Sequence, residues 1–384
     1  MAKKKTALAA AIIAAALLSP SVGRCLSNYT DLKSLGADSS GKTDVSAILN
    51  RAMKDTAKPG TVYLPEGKYL VATTIAVPSD MEIKGSGPNS ILLMPKVFGG
   101  RAFITNEDHQ GGNKNITLDS LAIVMNISGM RGDSPGLLRF ENVDTLKIEN
   151  LSVDAGSRLY AVDLASCVRN ASVDNSNIKN SGPGGCIMAR NGNPGGLCPS
   201  YNIKIENNKV SSGVLDEPIA VFGWLGVLKD VRIAGNQVGA AGASFGITAY
   251  GTGKPADTGQ LSGVEITGNT VTGGNNGGIA VMGGAASVNV SGNHISNTKN
   301  DGIFIHAGGK GLPSPQDVKV DGNDVSDAGR HGIYAFGAGV EISGNHIKNC
   351  GNAGIFAAGE TQAGPNVIEG CLPAVFYARH TNKK

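Results

Sequence analysis

The chain has 384 residues, of which 55 are glycine and only 5% are aromatic, and its 34 Lys and Arg nearly balance its 31 Asp and Glu. A nearly neutral chain has no general electrostatic attraction for nucleic acid, so nucleic acid is not an expected partner and any attraction to an anionic ligand must be local. The many glycines and evenly spread turn residues argue against a mainly helical protein and favour short strands with tight turns.

The N-terminus has the pattern of a secretory signal peptide at 1–23. Three lysines precede an apolar run at 6–18, and small residues lead to Gly23, after which we predict cleavage. The apolar run is too short to cross a bilayer comfortably, so no membrane span is expected. The mature chain, 24–384, is therefore predicted to be a single secreted or periplasmic domain, and lipidation of Cys25 stays open.

Residues 29–60 are predicted to cap the regular part of the chain. Thr43 or Asp44 can cap a short helix whose apolar side chains recur on one side. These apolar residues are Val45, Ile48, Leu49, Ala52 and Met53. Such a helix would cover an open sheet end, which otherwise invites aggregation. Regular coils are expected at about 61–360, followed by a C-terminal tail at 361–384.

The second half of the chain repeats the pattern aliphatic-x-x-Asn-x-aliphatic at intervals of 22 to 33 residues. The repeated asparagines are Asn208, Asn236, Asn269, Asn293, Asn323 and Asn345. A second strand, usually introduced by Gly-Ile, follows each copy and alternates with period two. Because so small a unit cannot bury an apolar face alone, it must stack as one coil of a parallel β-helix. Each Asn should then turn inward and hydrogen-bond to the next coil.

Parallel stacking would place equivalent side chains of successive coils about 4.8 Å apart. The outward positions of the second strands therefore predict which distant residues become neighbours. The first outward row is Arg139, Asp163, Met188, Ala220, Thr248, Ala280, Phe304, Tyr334 and Phe356. The second outward row is Glu141, Ala165, Arg190, Phe222, Tyr250, Met282, His306, Phe336 and Ala358. We interpret this face as the candidate binding surface.

The six cysteines suggest disulfides in an exported chain. Cys186 and Cys198 bracket a loop rich in Gly and Pro and could pair. In the same way Cys350 and Cys371 could join the last regular segment to the tail. Cys25 and Cys167 are left over, and a buried free thiol is the alternative for each cysteine.

The segment from Tyr29 to Gly87, with LGADSSGKTDVSAILNRA, GTVYLPEGKYLV and MEIKGSG, resembles the first module of the pectate-lyase superfamily. The later GNxI and Gly-Ile repeats are similar to those of its β-helix members, so the resemblance covers most of 29–360. It implies a right-handed parallel β-helix with a short N-terminal capping helix. The superfamily includes lyases, hydrolases, C5-epimerases, phage depolymerases and non-catalytic proteins, so the fold alone does not imply one activity.

The stretches NDGIFIH and RHGIYAF are similar to consecutive coils of mannuronan C5-epimerase modules. Those modules carry an acidic residue one coil earlier, where this chain has Ala280 within GGIAVMG. This departure argues against epimerase chemistry of the same kind.

A polar cluster on adjacent coils is the first candidate catalytic site. It consists of Asp301, His306, Arg330, His331 and Tyr334. Arg330 could neutralise a uronate carboxylate, and His331 or His306 could remove the C5 proton. Tyr334 could then protonate the departing oxygen, which together describes β-elimination. The alternative is that Asp301 and His331 form an ordinary pair on a solvated sheet.

A second cluster could serve hydrolysis or substrate binding. It consists of Asp163, Arg190, Asp216 and Glu217, and its alternative is a simple pairing of Arg190 with one of the aspartates. The remaining substrate-binding candidates are Trp224, Tyr250, Asn276 and Asn300. Aromatic rings there could stack on the C–H faces of sugars. Ca²⁺ could be held by the acids, but no compact oxygen-rich loop requires it, so no cofactor is expected.

The sequence thus predicts an exported enzyme acting on a polysaccharide, preferably a lyase or related epimerase on a uronate-containing chain. A glycoside hydrolase using Asp163, Asp216 or Glu217 is the second choice. A non-catalytic β-helix that binds a glycan or scaffolds an envelope assembly is the third. Homo-oligomerisation is left open.

Overall fold

The computed structural model describes residues 28–98, 100–125, 136–156, 160–192, 198–212, 215–252, 259–309 and 311–378. Parallel strands stack coil upon coil along most of this chain, which confirms the predicted parallel β-helix. The proposed signal peptide and Cys25 lie outside the described residues.

Each coil contributes a strand to each of three stacks. Stack 1 contains β1 (Tyr29–Asp31), β3 (Gly60–Leu64), β6 (Met81–Gly85), β9 (Asn113–Asp119), β12 (Val143–Glu149), β15 (Arg169–Asp174), β18 (Ser200–Glu206), β21 (Val227–Ala234), β24 (Gln260–Thr267), β27 (Ala285–Ser291) and β30 (Gln316–Asp321). Stack 2 contains β2 (Ser40–Asp44), β4 (Gly67–Leu70), β7 (Ser90–Met94), β10 (Ala122–Met125), β13 (Ser152–Asp154), β16 (Asn177–Asn180), β19 (Lys209–Ser212), β22 (Gln237–Ala240), β25 (Thr270–Gly273), β28 (His294–Ser296), β31 (Asp324–Ser326), β33 (His346–Lys348) and β35 (Val367–Glu369).

Stack 3 carries the candidate binding surface. It contains β5 (Ile75–Val77), β8 (Ile104–Asn106), β11 (Gly136–Glu141), β14 (Tyr160–Ser166), β17 (Ile187–Asn191), β20 (Ile219–Gly223), β23 (Phe245–Gly251), β26 (Gly277–Gly283), β29 (Asp301–His306), β32 (Ile333–Ser343), β34 (Ile355–Ala363) and β36 (Val375–Tyr377). The long strands β32 and β34 continue from stack 3 into stack 1, where β30 pairs with β32. Aliphatic side chains from all three stacks fill the interior of the coil.

The predicted capping helix is present as α1 (Ser46–Asp55), after a short 3-10 turn at Lys33–Leu35. Neither Thr43 nor Asp44 is the N-cap residue, which is Val45 and has no side-chain cap; Asp44 Oδ1 instead accepts the Ser46 N–H at 3.0 Å. The helix buries Leu49, Ala52 and Met53, and it packs against β3 and β5. It therefore covers the N-terminal end of the apolar interior, as expected.

The repeated asparagines form a continuous buried ladder at one corner, as predicted. Asn293 shows the pattern: its backbone N–H and its Nδ2 both donate to Asn323 Oδ1, at 3.0 and 2.9 Å. The same Nδ2 donates to the carbonyl of Ile266 at 2.8 Å. The ladder continues through Asn366, which accepts from Asn345 at 2.9 Å. Side chain and backbone are thus satisfied together at every step, which a buried amide requires.

The residue before each inward asparagine has a left-handed backbone, which explains the Gly-Asn pairs in the repeat. These residues are Asn207, Gly235, Gly268, Gly292, Gly322 and Gly344, with φ between 55° and 66°. Glycine adopts this region without a steric penalty, and asparagine is the residue that tolerates it next best. The corner conformation therefore selects Gly or Asn immediately before the ladder Asn.

Regular pairing extends beyond the limits expected from sequence at both ends. Tyr29 already pairs with Thr61, so part of the expected cap belongs to the first coil. At the other end β35 and β36 form a further coil within the expected tail, because Asn366 extends the ladder there. The strands pair in parallel register as far as Tyr377.

Neither of the two suggested cysteine pairs is formed, and the alternative of a buried free thiol holds for Cys186. Cys167 is bonded to Cys198, with the two Cα atoms 5.2 Å apart, whereas Cys186 is a buried free thiol. Stacking places the two bonded residues on adjacent coils. The sequence argument, which paired cysteines that flank the same loop, could not detect this proximity. Cys350 and Cys371 are also free, although the Cys350 N–H donates to the Cys371 sulfur at 3.2 Å.

Candidate functional site

The register of stack 3 confirms the first outward row. Thr248 pairs with Ala220 on one side and with Ala280 on the other, and Phe304 pairs with Tyr334. In the second row Arg190 pairs with Phe222 as expected. The N-terminal end of that row differs, because an irregularity after Phe140 pairs Glu141 with Ser166 instead of Ala165. Residues some thirty positions apart in sequence are therefore neighbours on one face.

Two adjoining clefts of about 410 Å³ each open on this face. The first, here called the charged cleft, is lined by Phe245, Asn276, Met282, Asn300, Asp301, Phe304, His306, Gly308 and Arg330. The second, here called the apolar cleft, is lined by Glu217, Phe222, Trp224, Thr248, Tyr250, Thr252 and Met282. Because both include Met282, the two clefts adjoin on this face, and together they are called the groove below.

An ion pair dominates the charged cleft. Arg330 donates from Nε to Asp301 Oδ1 at 2.9 Å and from Nη2 to Asp301 Oδ2. The His331 backbone N–H also donates to Asp301 Oδ1, at 3.2 Å, so the buried carboxylate is held on both sides. These bonds raise the pKa of Arg330. The guanidinium edge that would grip a substrate carboxylate is therefore occupied by the protein itself.

The two histidines of the first cluster are predicted to be neutral at neutral pH. Burial lowers the pKa of both His306 and His331. His306 Nδ1 accepts the Gly308 N–H at 3.1 Å, which leaves its proton on Nε2. His331 is buried, its Nδ1 makes no hydrogen bond within the described part of the chain, and its ring lies 6.0 Å from that of Tyr334.

Most aromatic rings of the C-terminal half of the face stack on one another. The ring centroids of Phe304 and Tyr334 are 5.3 Å apart, and those of Tyr334 and Phe356 are 4.9 Å apart at an interplanar angle of 8°. Their faces are therefore covered and cannot offer a platform to a sugar. In the apolar cleft the arrangement differs, because Trp224 is 53% exposed and lies near the edge-to-face pair Phe222 and Tyr250.

The second predicted cluster divides into a locked part and an accessible part. Asp163 is completely buried, and Arg190 donates to its two oxygens at 2.9 and 3.0 Å. Arg139 was not among the predicted site residues. Its Nε lies 4.0 Å from Asp163 Oδ2. Burial raises the pKa of Asp163, and the bond from Arg190 opposes this. Asp163 is thus held as a structural ion pair and is closed to substrate.

Glu217 is the carboxyl group that faces the apolar cleft. It is half-buried, and desolvation raises its pKa, with a further upward contribution from the charge of Asp216. Burial raises the pKa of Asp216 as well. The buried Tyr160 hydroxyl donates to Glu217 Oε2 at 3.5 Å. Tyr160 was not predicted as a site residue, although it occupies the same register position as Glu217.

The predicted asparagines lie at the rim of the charged cleft. Asn276 Nδ2 donates to Ser244 Oγ at 2.7 Å, and Asn300 Nδ2 donates to the Asn275 carbonyl at 2.8 Å. The groove therefore brings together the larger part of the predicted site. Its predicted members are Glu217, Trp224, Tyr250, Asn276, Asn300, Asp301, His306 and Arg330. His331 and Tyr334 adjoin the charged cleft, while Asp163 and Arg190 form a separate pair beside Phe222.

The described residues contain no group of three or more His, Cys, Asp or Glu side chains arranged to hold a metal ion. No helix in the part of the chain that the structure describes has the length and apolar character needed to cross a membrane.

The coil architecture and the grooved face define a right-handed parallel β-helix protein of the pectate-lyase-like class. A family described as right handed beta helix region matches residues 201–371. The chain belongs to the rhamnogalacturonase A/epimerase, pectate lyase-like family, which matches residues 29–241. This confirms the resemblance predicted from the sequence.

Solved structures with the same fold include three glycan-active enzymes, all at low identity. The catalytic unit of a GH87 α-1,3-glucanase from Streptomyces thermodiastaticus shares 16% identity at a TM-score of 0.60, over 91% of this chain and 69% of the glucanase chain. The A-module of a mannuronan C-5 epimerase from Azotobacter vinelandii shares 15% identity at a TM-score of 0.58, over 91% of this chain and 100% of the module. An exopolygalacturonase from Thermotoga maritima shares 14% identity at a TM-score of 0.62, over 89% of this chain and 92% of the exopolygalacturonase chain.

A curated relative is the pre-neck appendage protein of Bacillus phage B103, which is 26% identical over 141 residues. The match covers 35% of this chain but only 16% of the phage protein. The chain thus spans less than a fifth of that relative's length.

Proposed function

We propose that the protein is an exported polysaccharide-active enzyme that binds a glycan chain along the groove and cleaves it hydrolytically, with Glu217 as the general acid. The observation that carries this proposal is a carboxyl group of raised pKa at the wall of a cleft lined by aromatic side chains. Membership of a family named for rhamnogalacturonase and epimerase supports a glycan as substrate. The Cys167–Cys198 disulfide supports an oxidising, exported location.

Glycosidic cleavage needs an acid that is still protonated near the working pH. A carboxyl group in an apolar setting meets this need, because desolvation penalises its charged form. Glu217 has this setting, and the neighbouring charge of Asp216 acts in the same direction. Asp216 is the carboxyl group next to Glu217 in the sequence. In this proposal it is the candidate for activating the attacking water. Asp163 cannot take this role because Arg190 and burial close it off.

The charge of the groove favours a neutral glycan over a polyuronate. Arg330 is the one cationic side chain among the described residues that line the two clefts, and Asp301 already occupies it. Because burial lowers the pKa of His306 and His331, the imidazoles supply no positive charge at neutral pH. A row of substrate carboxylates would therefore lie beside Glu217 and Asp301 without a free counter-charge.

The test is a substrate screen with two readouts. Purified protein is incubated with neutral glucans and with pectate, alginate and glucuronan, while reducing ends and the ultraviolet absorbance of unsaturated uronates are followed. Hydrolysis gives reducing ends alone, and Glu217→Gln should abolish them. Glu265→Gln, at an exposed carboxylate of stack 1, is the matched control and should keep full activity. Full activity of Glu217→Gln would refute the assignment, and absence of product from all substrates would favour a non-catalytic glycan-binding role.

Uronate β-elimination is the second candidate, and the free Nδ1 of His331 is the observation that favours it. A neutral imidazole is a competent base, and Arg330 and Tyr334 lie next to it. The reaction would require Arg330 to exchange Asp301 for the substrate carboxylate. Unsaturated products from a polyuronate, lost in His331→Ala, would establish this activity in place of hydrolysis.

A further inference from the structure

We infer that the apolar cleft is a subsite for an acetylated sugar, in which Thr248 donates a hydrogen bond to the acetyl carbonyl oxygen. The inference rests on the proposed function only in taking the groove as a glycan site. It adds the substituent that the substrate carries, and it does not depend on which bond is cleaved.

Thr248 lies at the floor of the cleft, between two short side chains of its own row. Ala220, Thr248 and Ala280 lie side by side in register, and all three are fully buried. The next residues of the same row are Met188 and Phe304, which are much longer. Three consecutive coils therefore present short side chains in this row, and of the three it is Thr248 that lines the cleft.

Thr248 supplies an unused hydrogen-bonding group at this floor. It lines the cleft, yet its Oγ1 is buried and makes no hydrogen bond within the described part of the protein. Such a group costs free energy unless a partner is supplied. The other threonine hydroxyl of the lining is already engaged, because Thr252 Oγ1 donates to the Trp224 carbonyl at 2.8 Å. Thr248 therefore carries the threonine hydroxyl of the lining that has no partner among the described residues, directly beneath the cleft surface.

The walls determine what kind of ligand fits. Phe222, Tyr250, Met282 and Trp224 present mainly apolar surface, so an unsubstituted sugar would find few partners for its hydroxyl groups beyond Glu217 and the Tyr250 hydroxyl. An acetyl group matches better, since its methyl contacts the aromatic and thioether walls and its carbonyl oxygen accepts from Thr248. The chemistry is the same for an N-acetyl and an O-acetyl substituent.

Trp224 makes binding directly measurable, because it is the single tryptophan of the chain and it lines the cleft. Its fluorescence is followed in Glu217→Gln, to prevent cleavage, during titration with chitotetraose and with cellotetraose, which differ only in the acetamido groups. A second pair, O-acetylated and deacetylated xylotetraose, distinguishes O-acetyl from N-acetyl recognition. We expect at least one acetylated ligand to bind about 10-fold more tightly than its unsubstituted counterpart, with a change in Trp224 emission.

The role of the hydroxyl is tested with Thr248→Val, which removes it at nearly constant volume, and with Thr248→Ser, which keeps it. We expect Thr248→Val to weaken binding of the acetylated ligand about 3- to 10-fold without affecting the unsubstituted one, and Thr248→Ser to bind like the parent. Equal affinity for the members of both ligand pairs would overturn the inference, and this comparison needs no Thr248 variant to fold. Hydrolysis of a glucan without any acetyl preference would leave the proposed function intact and remove this subsite. Acetyl-selective binding by a protein that turns over no substrate would support this subsite and refute the proposed hydrolytic function.

Discussion

Replacing one internal rung of the asparagine ladder should cost far more stability than its single side chain suggests. In Asn293→Ala, the Ile266 carbonyl loses its Nδ2 donor and the buried Asn269 N–H loses Asn293 Oδ1, which it reaches at 2.9 Å. Each orphaned buried group costs about 1–3 kcal/mol, and the bond to Asn323 Oδ1 is lost in addition. We therefore expect a loss of about 4 kcal/mol in the free energy of unfolding.

Two other asparagines, one at the end of the ladder and one on the surface, serve as matched controls. Asn366 ends the ladder and is half-buried, so water can replace part of what Asn366→Ala removes, and we expect about 1–2 kcal/mol. Asn352 is exposed, and Asn352→Ala should change stability by less than about 0.5 kcal/mol. Urea denaturation followed by circular dichroism measures all three. The reasoning is refuted if Asn293→Ala is no less stable than Asn352→Ala, because the ladder would then contribute nothing beyond a surface amide.

The remaining predictions concern the acid, the backbone and the disulfide. Activity should persist to a higher pH than an ordinary carboxyl group allows and then fall as Glu217 ionises, whereas Glu217→Gln should reduce turnover about 100-fold or more and lack this pH limb. Gly302→Ala should cost more than about 2 kcal/mol, because its methyl would lie 2.3 Å from a valine side chain. Gly292→Ala, with φ +62° and no atom within 4 Å, should cost only about 1 kcal/mol. Reducing the Cys167–Cys198 bond, which closes a separation of 31 residues, should lower stability by about 3 kcal/mol.

Each of these has an outcome that contradicts it. A pH profile of Glu217→Gln that parallels the parent would mean that another group titrates. Equal losses in the two glycine variants would show that the steric contact at Gly302 costs no more than the backbone strain at Gly292. An unchanged thermal midpoint after reduction would show that stacking alone holds the two coils together.

Both arginines of the predicted site form ion pairs with buried aspartates. Their guanidinium groups are therefore not free to bind a substrate carboxylate, as uronate elimination would require. The register correctly predicted that Arg330 lies beside Asp301 and Arg190 near Asp163. The pairing of Arg190 with an aspartate was the alternative reading of the sequence, whereas the pairing of Arg330 with Asp301 was not predicted. That outcome follows from burial, since Asp163 and Asp301 would otherwise be uncompensated charges, which are costly.

The sequence alone determined the architecture, because the aliphatic positions, the inward Asn and the Gly or Asn before it recur in the coils from Asn208 onward and predict parallel stacking. For the same reason it predicted the neighbours in the outward rows, including Thr248 beside Ala220 and Ala280. Only the tertiary structure decided which carboxyl group is accessible, which hydroxyl is left without a partner and which cysteines bond. These depend on side-chain direction and on the variable loops between strands, and neither is constrained by the periodicity that specifies the coil.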